Sequence, residues 1–387
     1  MGAAALVGHA ARGAGAAEVL ARVKLGVLTT SYPRWAGDPA GNFVAAHVAA
    51  LRELGHDVEV IAAGESRSDQ YSLVRIPSRL FFRGGAPDAL EHHPLRTLGG
   101  ALAFSTRFAA AVATRAARWD SIVAHWLVPS AIAALPTRVP LLAIAHGGDV
   151  HTLRRMRLLA PVLHALHARR AELVFVSAAL RGIAIHEVPS LAGWLAGARV
   201  QPMGIDVARF AALRRTPTDP PTVAIAARLV PLKGVDVAIA ALAHLHAPVR
   251  LVIAGDGPER RRLEERAARL ARSVEFLGAV DLETRDRLLA SASCVVVPSR
   301  VTSTGRTEGT PLIALEALAA GVPVVASAVG GMPALAPAAR LVGPDDPRGL
   351  AASIEAVLVS PPLSSELAAV VAHLDWRAIA PHLVRSA

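Results

Sequence analysis

The stretch that decides the fold runs from Pro298 to Gly331 and reads PSRVTSTGRTEGTPLIALEALAAGVPVVASAVGG. Its pattern predicts the end of a strand, a loop, a helix, a second strand and a glycine-rich loop. Thr310 is placed to cap the helix, and Pro311 suits its first turn because the missing N–H would be unpaired there. Gly321 is expected to end the helix. This alternation is typical of a parallel α/β sheet.

Two carboxylates flank this helix start, Glu308 in the loop before it and Glu316 inside the helix. The free N–H groups and the positive dipole end of a helix start attract phosphate. A carboxylate on either side can hold the uncharged hydroxyls of the same ligand. The stretch therefore predicts a site for a phosphorylated sugar compound.

The chain of 387 residues is too long for one ordinary domain and favours two. Its single cysteine, Cys294, excludes a disulfide framework and fits a reducing cytoplasm. The first residues lack the continuous apolar core of a secretory signal, and we expect residues 1–23 to form an amphipathic or disordered tail. Glycines and prolines interrupt the longest uncharged run, residues 317–339, which favours a buried helix, strand and loop over a membrane span.

The net charge of +10 is unevenly distributed. Residues 1–205 hold 21 Lys and Arg against 13 Asp and Glu, whereas residues 206–387 hold 20 against 18. The basic first half favours an anionic partner such as membrane lipid or a lipid phosphate, although a solvated Arg-rich surface gives the same count. Nucleic acid is disfavoured because aromatic residues make up only 4% and show no interleaved stacking pattern.

Apolar runs alternate with helical patterns along the whole chain. The run at Val23–Pro33 predicts a buried parallel strand, and the helix pattern after it ends at Gly55. Prolines and charges cluster over residues 200–222, after which the alternation restarts, and Pro258 is expected to open a charge-paired helix. The pattern predicts an α/β protein of two doubly wound Rossmann-like domains, with ligands in the cleft at the carboxyl ends of the strands.

Two basic residues follow the first strand of the second half, Arg228 and Lys233 in ARLVPLKGVD. Their five-residue spacing can place two cations around one diphosphate. Lysine occurs only twice in the chain, so its presence in a strand-end loop suggests a specific role, although by itself it is more simply a solvated turn residue. Ala279 and Val280 end another predicted strand and could present backbone to a flat nucleobase.

Residues 222–331 resemble the nucleotide-sugar domain of retaining GT-B glycosyltransferases of family 4. The matching motifs are, in order, ARLVPLKGVD, VIAGDGPER, VEFLGAV, VVVPS and EGTPLIALEALAAGVPVVAS. The first half adds the looser matches SYPRWAGDPAGNF, GHDVEVIA, AHWLVPS and HGGD. The resemblance implies a GT-B fold with an acceptor-side domain over residues 24–205, a nucleotide-sugar domain over residues 206–364 and a C-terminal helix over residues 365–387 that crosses back to the first domain.

The resemblance also implies roles in the second domain. Arg228 and Lys233 match the pair that neutralises the donor diphosphate. Glu316 matches the glutamate that holds the ribose hydroxyls, and Glu308 matches the acidic residue beside the transferred sugar. Four residues at the helix start would contact the sugar hydroxyls and phosphate through their backbone: Gly309, Thr310, Pro311 and Leu312.

Two residues of the first domain gain roles in the same way. Gly41 matches a glycine that faces the diphosphate across the cleft, and His146 matches the histidine near the sugar. His125 sits in a looser motif, and there the better interpretation is a strand-end histidine whose ring is satisfied by backbone groups.

The implied reaction moves a hexose from a UDP- or GDP-linked sugar to a glycan or lipid-linked acceptor, with retention at the anomeric carbon. The nucleotide sugar is a substrate, and no cofactor is expected. Arg228, Lys233 and the helix start can stabilise the leaving diphosphate in place of a metal, and no Asp-x-Asp pair occurs, so we expect no metal site. Polysaccharide biosynthesis in the cytoplasm, with peripheral contact to the inner face of an anionic cell membrane, would fit this chemistry.

The sequence leaves other functional interpretations open. Another GT-B enzyme, such as a nucleotide-sugar epimerase or an inverting transferase, would share most of these motifs, and product stereochemistry separates them. A non-enzymatic basic module at a membrane surface would bind lipid without turnover. A nicotinamide-dependent dehydrogenase is disfavoured because no GxGxxG follows the strand at Val23–Thr30.

Overall fold

A computed structural model describes residues 22–65, 68–70, 72–82, 94–270 and 272–385. These residues form two parallel sheets with helices packed around them. The tail expected over residues 1–23 lies, as far as residue 21, outside the described residues.

The first sheet contains eight strands, numbered here in chain order: β1 Lys24–Leu28, β2 Asp57–Gly64, β3 Ser68–Gln70, β4 Leu73–Pro77, β5 Ser121–His125, β6 Leu141–Ala145, β7 Glu172–Phe175 and β8 Arg199–Val200. Their spatial order is β3-β4-β2-β1-β5-β6-β7-β8. Neighbours are parallel throughout, except for the antiparallel pair β3 and β4. The interior strand β6 reads LLAIA and is buried along its whole length, as expected where helices cover both faces of a sheet.

The second sheet contains six strands: β9 Thr222–Ala226, β10 Arg250–Ala254, β11 Ser273–Gly278, β12 Ala292–Val297, β13 Val324–Ser327 and β14 Ala339–Val342. They are all parallel, in the order β11-β10-β9-β12-β13-β14. Alternate residues enter two separate cores, with Val223 and Ile225 of β9 on one face and Ala224 on the other. Both faces are therefore covered, which explains why these strands are nearly continuous apolar runs.

The α-helices that flank the two sheets are Asn42–Glu53, Arg79–Phe82, Pro94–Arg115, Ile132–Ala134, Gly148–Arg155, Leu159–Ala168, Ala178–Glu187, Ala192–Gly197, Val207–Ala211, Val235–Ala241, Arg260–Ala267, Leu282–Ser291, Leu312–Ala319, Pro347–Val359, Ser364–Val371 and Trp376–Ile379. The alternation of strand and helix confirms the predicted α/β class. Across the described residues no single helix is long and apolar enough to cross a membrane, although the pair Pro347–Val359 and Ser364–Leu374, bent by 119°, together has the length and composition to do so.

The helix Leu312–Ala319 begins one residue later than its sequence suggests. Pro311 occupies the N-cap position of Leu312–Ala319 in an extended conformation, with no side-chain cap. The prediction that Thr310 caps this helix is wrong, because its hydroxyl instead donates to the carbonyl of Val176 at 3.4 Å. The prediction for Gly321 is confirmed, since it follows the last helical turn with φ of 67°.

The helix expected to open at Pro258 begins instead at Arg260, with Glu259 at its N-cap. The reason is a tertiary contact. The backbone N–H of Glu259 donates to the carbonyl of Leu229 at 3.1 Å, which holds the chain in a turn against the loop after β9.

The C-terminal segment joins the two sheets. Ile205 donates to the carbonyl of Leu374 at 3.0 Å and accepts from the N–H of Trp376 at 3.1 Å. Trp376, Ile379 and Leu383 are then buried in the core around the first sheet. The segment therefore leaves the second sheet and packs beneath the first.

Candidate active site

The loops at the carboxyl ends of the two sheets meet. The N–H of Thr307, after β12, lies 3.2 Å from Nε2 of His151, which belongs to the helix after β6. Gly309 packs against the same part of the first domain, and a Cβ added there would lie 2.7 Å from Cγ2 of Val176 and 3.4 Å from the carbonyl oxygen of His146. Only a residue without a side chain fits so closely, so the backbone of the helix start lies beside His146.

Lys233 and Glu308 form an ion pair. Nζ of Lys233 lies 2.6 Å from Oε2 of Glu308, while the hydroxyl of Ser299 donates to the other carboxylate oxygen. The side chain of Glu308 is 9% exposed and that of Lys233 is 24% exposed. Two donors therefore fix Glu308 at the edge of the cleft, and an anion that approaches Lys233 competes with this carboxylate for its charge.

Arg228 lies in the loop after β9, half-buried and close to a second guanidinium. Burial lowers the pKa of Arg228, and the nearby charge of Arg306 lowers it further. Two cations held near each other in a partly buried place gain stability from a shared anion. The loop that holds Arg306 therefore adds positive charge to the side of the cleft where the sequence predicts a diphosphate.

Glu316 is almost fully buried, with 4% of its surface exposed. Burial raises the pKa of this carboxyl, and the guanidinium of Arg285 opposes the rise from 3.2 Å. The ring of Phe210 lies near two guanidinium groups, with its centroid 5.3 Å from Cζ of Arg209 and 5.6 Å from Cζ of Arg285. The family resemblance implies that Glu316 binds the ribose hydroxyls. Its ion pair with Arg285 could not be predicted, because no local sequence pattern links the two residues.

Three histidines meet at the carboxyl edge of the first sheet. Nδ1 of His47 lies 3.1 Å from Nε2 of His125, and Nδ1 of His125 lies 3.0 Å from Nε2 of His146. The interpretation that backbone groups satisfy His125 is therefore wrong, because both of its ring nitrogens bond to other histidines. His47 was missed, since it looked like one more position on the buried face of a helix.

Asp149 also went unassigned, although it stands in the quoted motif HGGD. Its buried carboxylate accepts backbone N–H groups from both loops at this edge, from Leu127 at 2.7 Å, from Gly147 at 2.9 Å and from His146 at 3.1 Å. Burial raises the pKa of Asp149, and these N–H groups oppose the rise. Asp149 thus fixes the backbone that carries His146, and an acid in the first turn of a helix was the available signal.

Gly41 precedes the first helix with φ of 70°. A Cβ added there would lie 2.5 Å from the carbonyl carbon and oxygen of Ser31. Asp38 stabilises the same loop by accepting from the N–H of Ala40 at 3.1 Å and from Nε of Arg34 at 2.6 Å. The glycine is therefore required by both its backbone angle and its close contact.

The two residues predicted near a nucleobase, Ala279 and Val280, follow β11 at the carboxyl edge of the second sheet. Val280 packs against the core that also contains Phe210. In the part of the chain that the structure describes, no group of three or more His, Cys, Asp or Glu residues is placed to hold a metal ion.

Comparison with known proteins identifies the family. The family described as Glycosyl transferases group 1 matches residues 220–360, and the Glycosyl transferase 4-like domain matches residues 40–188. The glycogen synthase of Mycobacterium tuberculosis is 32% identical over 290 residues, which cover 69% of this chain and 68% of that protein. The chain belongs to the group 1 glycosyltransferases. Its membership confirms the predicted enzyme class.

Further similarities support the same family and fold. The phosphatidyl-myo-inositol mannosyltransferase of Mycolicibacterium smegmatis is 29% identical to this glycosyltransferase over 358 residues, covering 87% of this chain and 86% of that protein. Sucrose-phosphate synthase from Thermosynechococcus elongatus superimposes with a TM-score of 0.69 at 22% identity, covering 94% and 97% of the two chains. Anabaena HepE, solved in complex with UDP, has a TM-score of 0.63 at 22% identity, with 93% and 95% covered. The predicted GT-B fold is confirmed.

Proposed function

We propose that this glycosyltransferase moves a hexose from a UDP- or GDP-linked sugar to a glycan or lipid-linked acceptor, with retention of the anomeric configuration and without a metal ion. The observation that carries the proposal is the cation group beside the helix start. Arg228 and Lys233 stand at the carboxyl edge of the second sheet, and the helix start near them lies against His146.

In the proposed reaction the bond between the anomeric carbon and the phosphate oxygen breaks, and a bond from the acceptor hydroxyl forms on the same face. The electron pair leaves with the diphosphate, whose oxygen takes the acceptor proton. Negative charge grows on that diphosphate during the reaction. The transition state would therefore be stabilised by Arg228, by Lys233 and by the free N–H groups at the start of the helix Leu312–Ala319. Such preorganised charge would supply what a metal supplies elsewhere.

Glu308 and Glu316 would divide the rest of the donor between them. Glu316 would accept from the ribose hydroxyls with the oxygen atoms that Arg285 leaves available. Glu308, held by Lys233 and Ser299, would face the transferred sugar. Gly41 and the backbone of Gly309–Leu312 would line the diphosphate and sugar, with Ala279 and Val280 near the base.

Two observations support an anionic or lipid-linked acceptor. The first 205 residues carry most of the excess basic charge. Relatives include GDP-mannose-dependent mannosyltransferases named for phosphatidylinositol monomannoside. We place the reaction in polysaccharide or glycolipid synthesis in the cytoplasm, at the inner face of the membrane, with the basic half in peripheral contact with anionic lipid.

A screen of nucleotide release tests the proposal. The full chain is incubated with UDP- and GDP-linked hexoses, with and without soluble glycans and with vesicles that carry lipid-linked acceptors, in buffer with EDTA. We expect release of UDP or GDP that depends on an acceptor and a product with the donor's anomeric configuration by NMR. An inverted product or an epimerised sugar formed without acceptor would instead support the other GT-B enzymes, and no turnover of any donor would contradict the proposal.

A further inference from the structure

The three histidines at the edge of the first sheet form one continuous hydrogen-bonded chain. His47 and His125 are fully buried, whereas His146 at the end of the chain is half-buried. The distances between bonded ring nitrogens are 3.1 Å and 3.0 Å, both within ordinary hydrogen-bond length. This row of bonded histidines therefore runs from the interior of the first domain to the cleft.

The buried end of the chain is closed by the C-terminal segment. Trp376 stacks on the ring of His47, with centroids 4.8 Å apart and planes 9° from parallel. The indole also packs closely against Gly204, where an added Cβ would lie 2.5 Å from Cδ2 of Trp376. Nε2 of His47 has no hydrogen-bond partner among the described residues. At its His47 end the row of histidines therefore stops in the interior, with no described group to pass a proton onward.

Each ring carries one proton at neutral pH. Burial lowers the pKa of His47 and of His146 to about 3, and it lowers the pKa of His125 well below its ordinary value. A neutral imidazole has one N–H and one lone pair, so three rings in series can be ordered in only two directions. Either every Nδ1 carries the proton, or every Nε2 does.

The buried end decides between the two directions. If every Nε2 carried the proton, His47 would bury an N–H with no acceptor among the described residues, which native proteins rarely do because the donor loses its hydrogen bonds to water. If every Nδ1 carries it, only a lone pair remains there. The bonds then run from Nδ1 of His47 to His125 and from Nδ1 of His125 to Nε2 of His146. Nδ1 of His146 bonds to no described residue and is not buried.

We propose that His47 and His125 are positioning residues that hold His146 as its Nδ1–H tautomer, so that this ring donates a hydrogen bond from Nδ1 into the cleft. The inference rests on the proposed function for its consequence. His146 then binds a sugar oxygen as a neutral donor, and its Nδ1 does not accept the acceptor's proton. Trp376 stabilises the position of the His47 ring by stacking on it.

Nitrogen NMR tests the tautomer without any need for turnover. The full chain is labelled with ¹⁵N-histidine, and long-range ¹H–¹⁵N correlations separate protonated from unprotonated ring nitrogens, with the His146→Asn variant used to assign the signals. We expect His146 to be protonated at Nδ1 and unprotonated at Nε2. Protonation at Nε2, or at both nitrogens at neutral pH, would overturn the proposal.

Variants test the positioning role. His125→Leu removes both bonds, so the signals of His146 should become a mixture of tautomers and kcat should fall about tenfold, while KM for the donor changes about twofold or less. His47→Leu keeps the bond between His125 and His146 and should have a smaller effect, which keeps the test available if His125→Leu does not fold. An unchanged tautomer in the folded variants would contradict the role.

The matched control is His164→Leu. His164 is an exposed histidine of the same domain that bonds to the hydroxyl of Ser190 at 3.1 Å. Its loss should leave both the NMR signals of His146 and kcat unchanged. Equal losses of kcat in His125→Leu and His164→Leu would count against a specific role for the three bonded histidines. If no sugar nucleotide is turned over at all, the proposed function fails while the tautomer is still decided by NMR.

Discussion

The replacement of Arg228 by alanine is the sharpest test of the donor site. A guanidinium about 4 Å from a phosphate contributes about 4 kcal/mol at an effective dielectric constant of about 20, the value suited to a half-buried site. Arg306 remains nearby and offsets part of the loss. We therefore expect a loss of about 2–4 kcal/mol of transition-state stabilisation, or about 30- to 1,000-fold in kcat/KM.

The assay is acceptor-dependent nucleotide release at a series of donor concentrations. Because the negative charge on the diphosphate is greater in the transition state than in the bound donor, kcat should fall more than KM rises. Arg340→Ala is the matched control, since Arg340 is an exposed residue of β14 in the same domain. Folding is checked by thermal melting. A folded Arg228→Ala enzyme within about threefold of wild-type kcat/KM would refute the assignment.

Three further predictions follow from the same site. Glu316→Gln should raise KM for the donor about 10- to 100-fold, and it should lower the free energy of unfolding by about 1–3 kcal/mol because Arg285 loses one of its two charged partners among the described residues and keeps only Asp286; an unchanged KM would contradict the ribose role. Gly41→Ala should impair both stability and donor binding, because the added methyl group would collide with the backbone of Ser31. The control is Gly37→Ala, where φ is 85° but nothing lies within 4 Å, and it should lower the free energy of unfolding by only about 1 kcal/mol. Equal effects of the two variants in unfolding and donor-titration experiments would count against the close contact at Gly41. Prolonged EDTA treatment should leave the rate unchanged, and restoration of a lost rate by added divalent metal would contradict the metal-free proposal.

Much of the fold could be predicted from the sequence because apolar runs and helical periodicity are local signals. The apolar run at Val23–Pro33 contains β1, Lys24–Leu28, as predicted, and Gly321 ends the helix Leu312–Ala319. Helix starts were less predictable, since tertiary contacts decide them. The hydroxyl of Thr310 donates to the carbonyl of Val176, which belongs to the other domain, and the N–H of Glu259 donates to the carbonyl of Leu229. Because of these contacts, neither helix begins where its own residues indicate.

The candidate site divides in the same way. Four candidate residues stand in quoted motifs, so the sequence could propose them: Arg228, Lys233, Glu308 and Glu316. The partner of Glu316 could not be predicted in this way, because its ion pair with Arg285 joins residues far apart in the chain and Arg285 stands in no quoted motif. The histidine chain is the extreme case, since residues from a helix and two strand ends meet only after the sheet has formed.

The central claim is that the second domain binds a nucleoside diphosphate through Arg228 and Lys233. Isothermal titration calorimetry of the full chain with UDP, GDP and the corresponding monophosphates tests it most directly. We expect one diphosphate to bind at least about tenfold more tightly than its monophosphate, a difference of about 1.4 kcal/mol, and we expect Arg228→Ala to abolish this difference. Equal affinity for diphosphate and monophosphate in the wild-type protein would contradict the account.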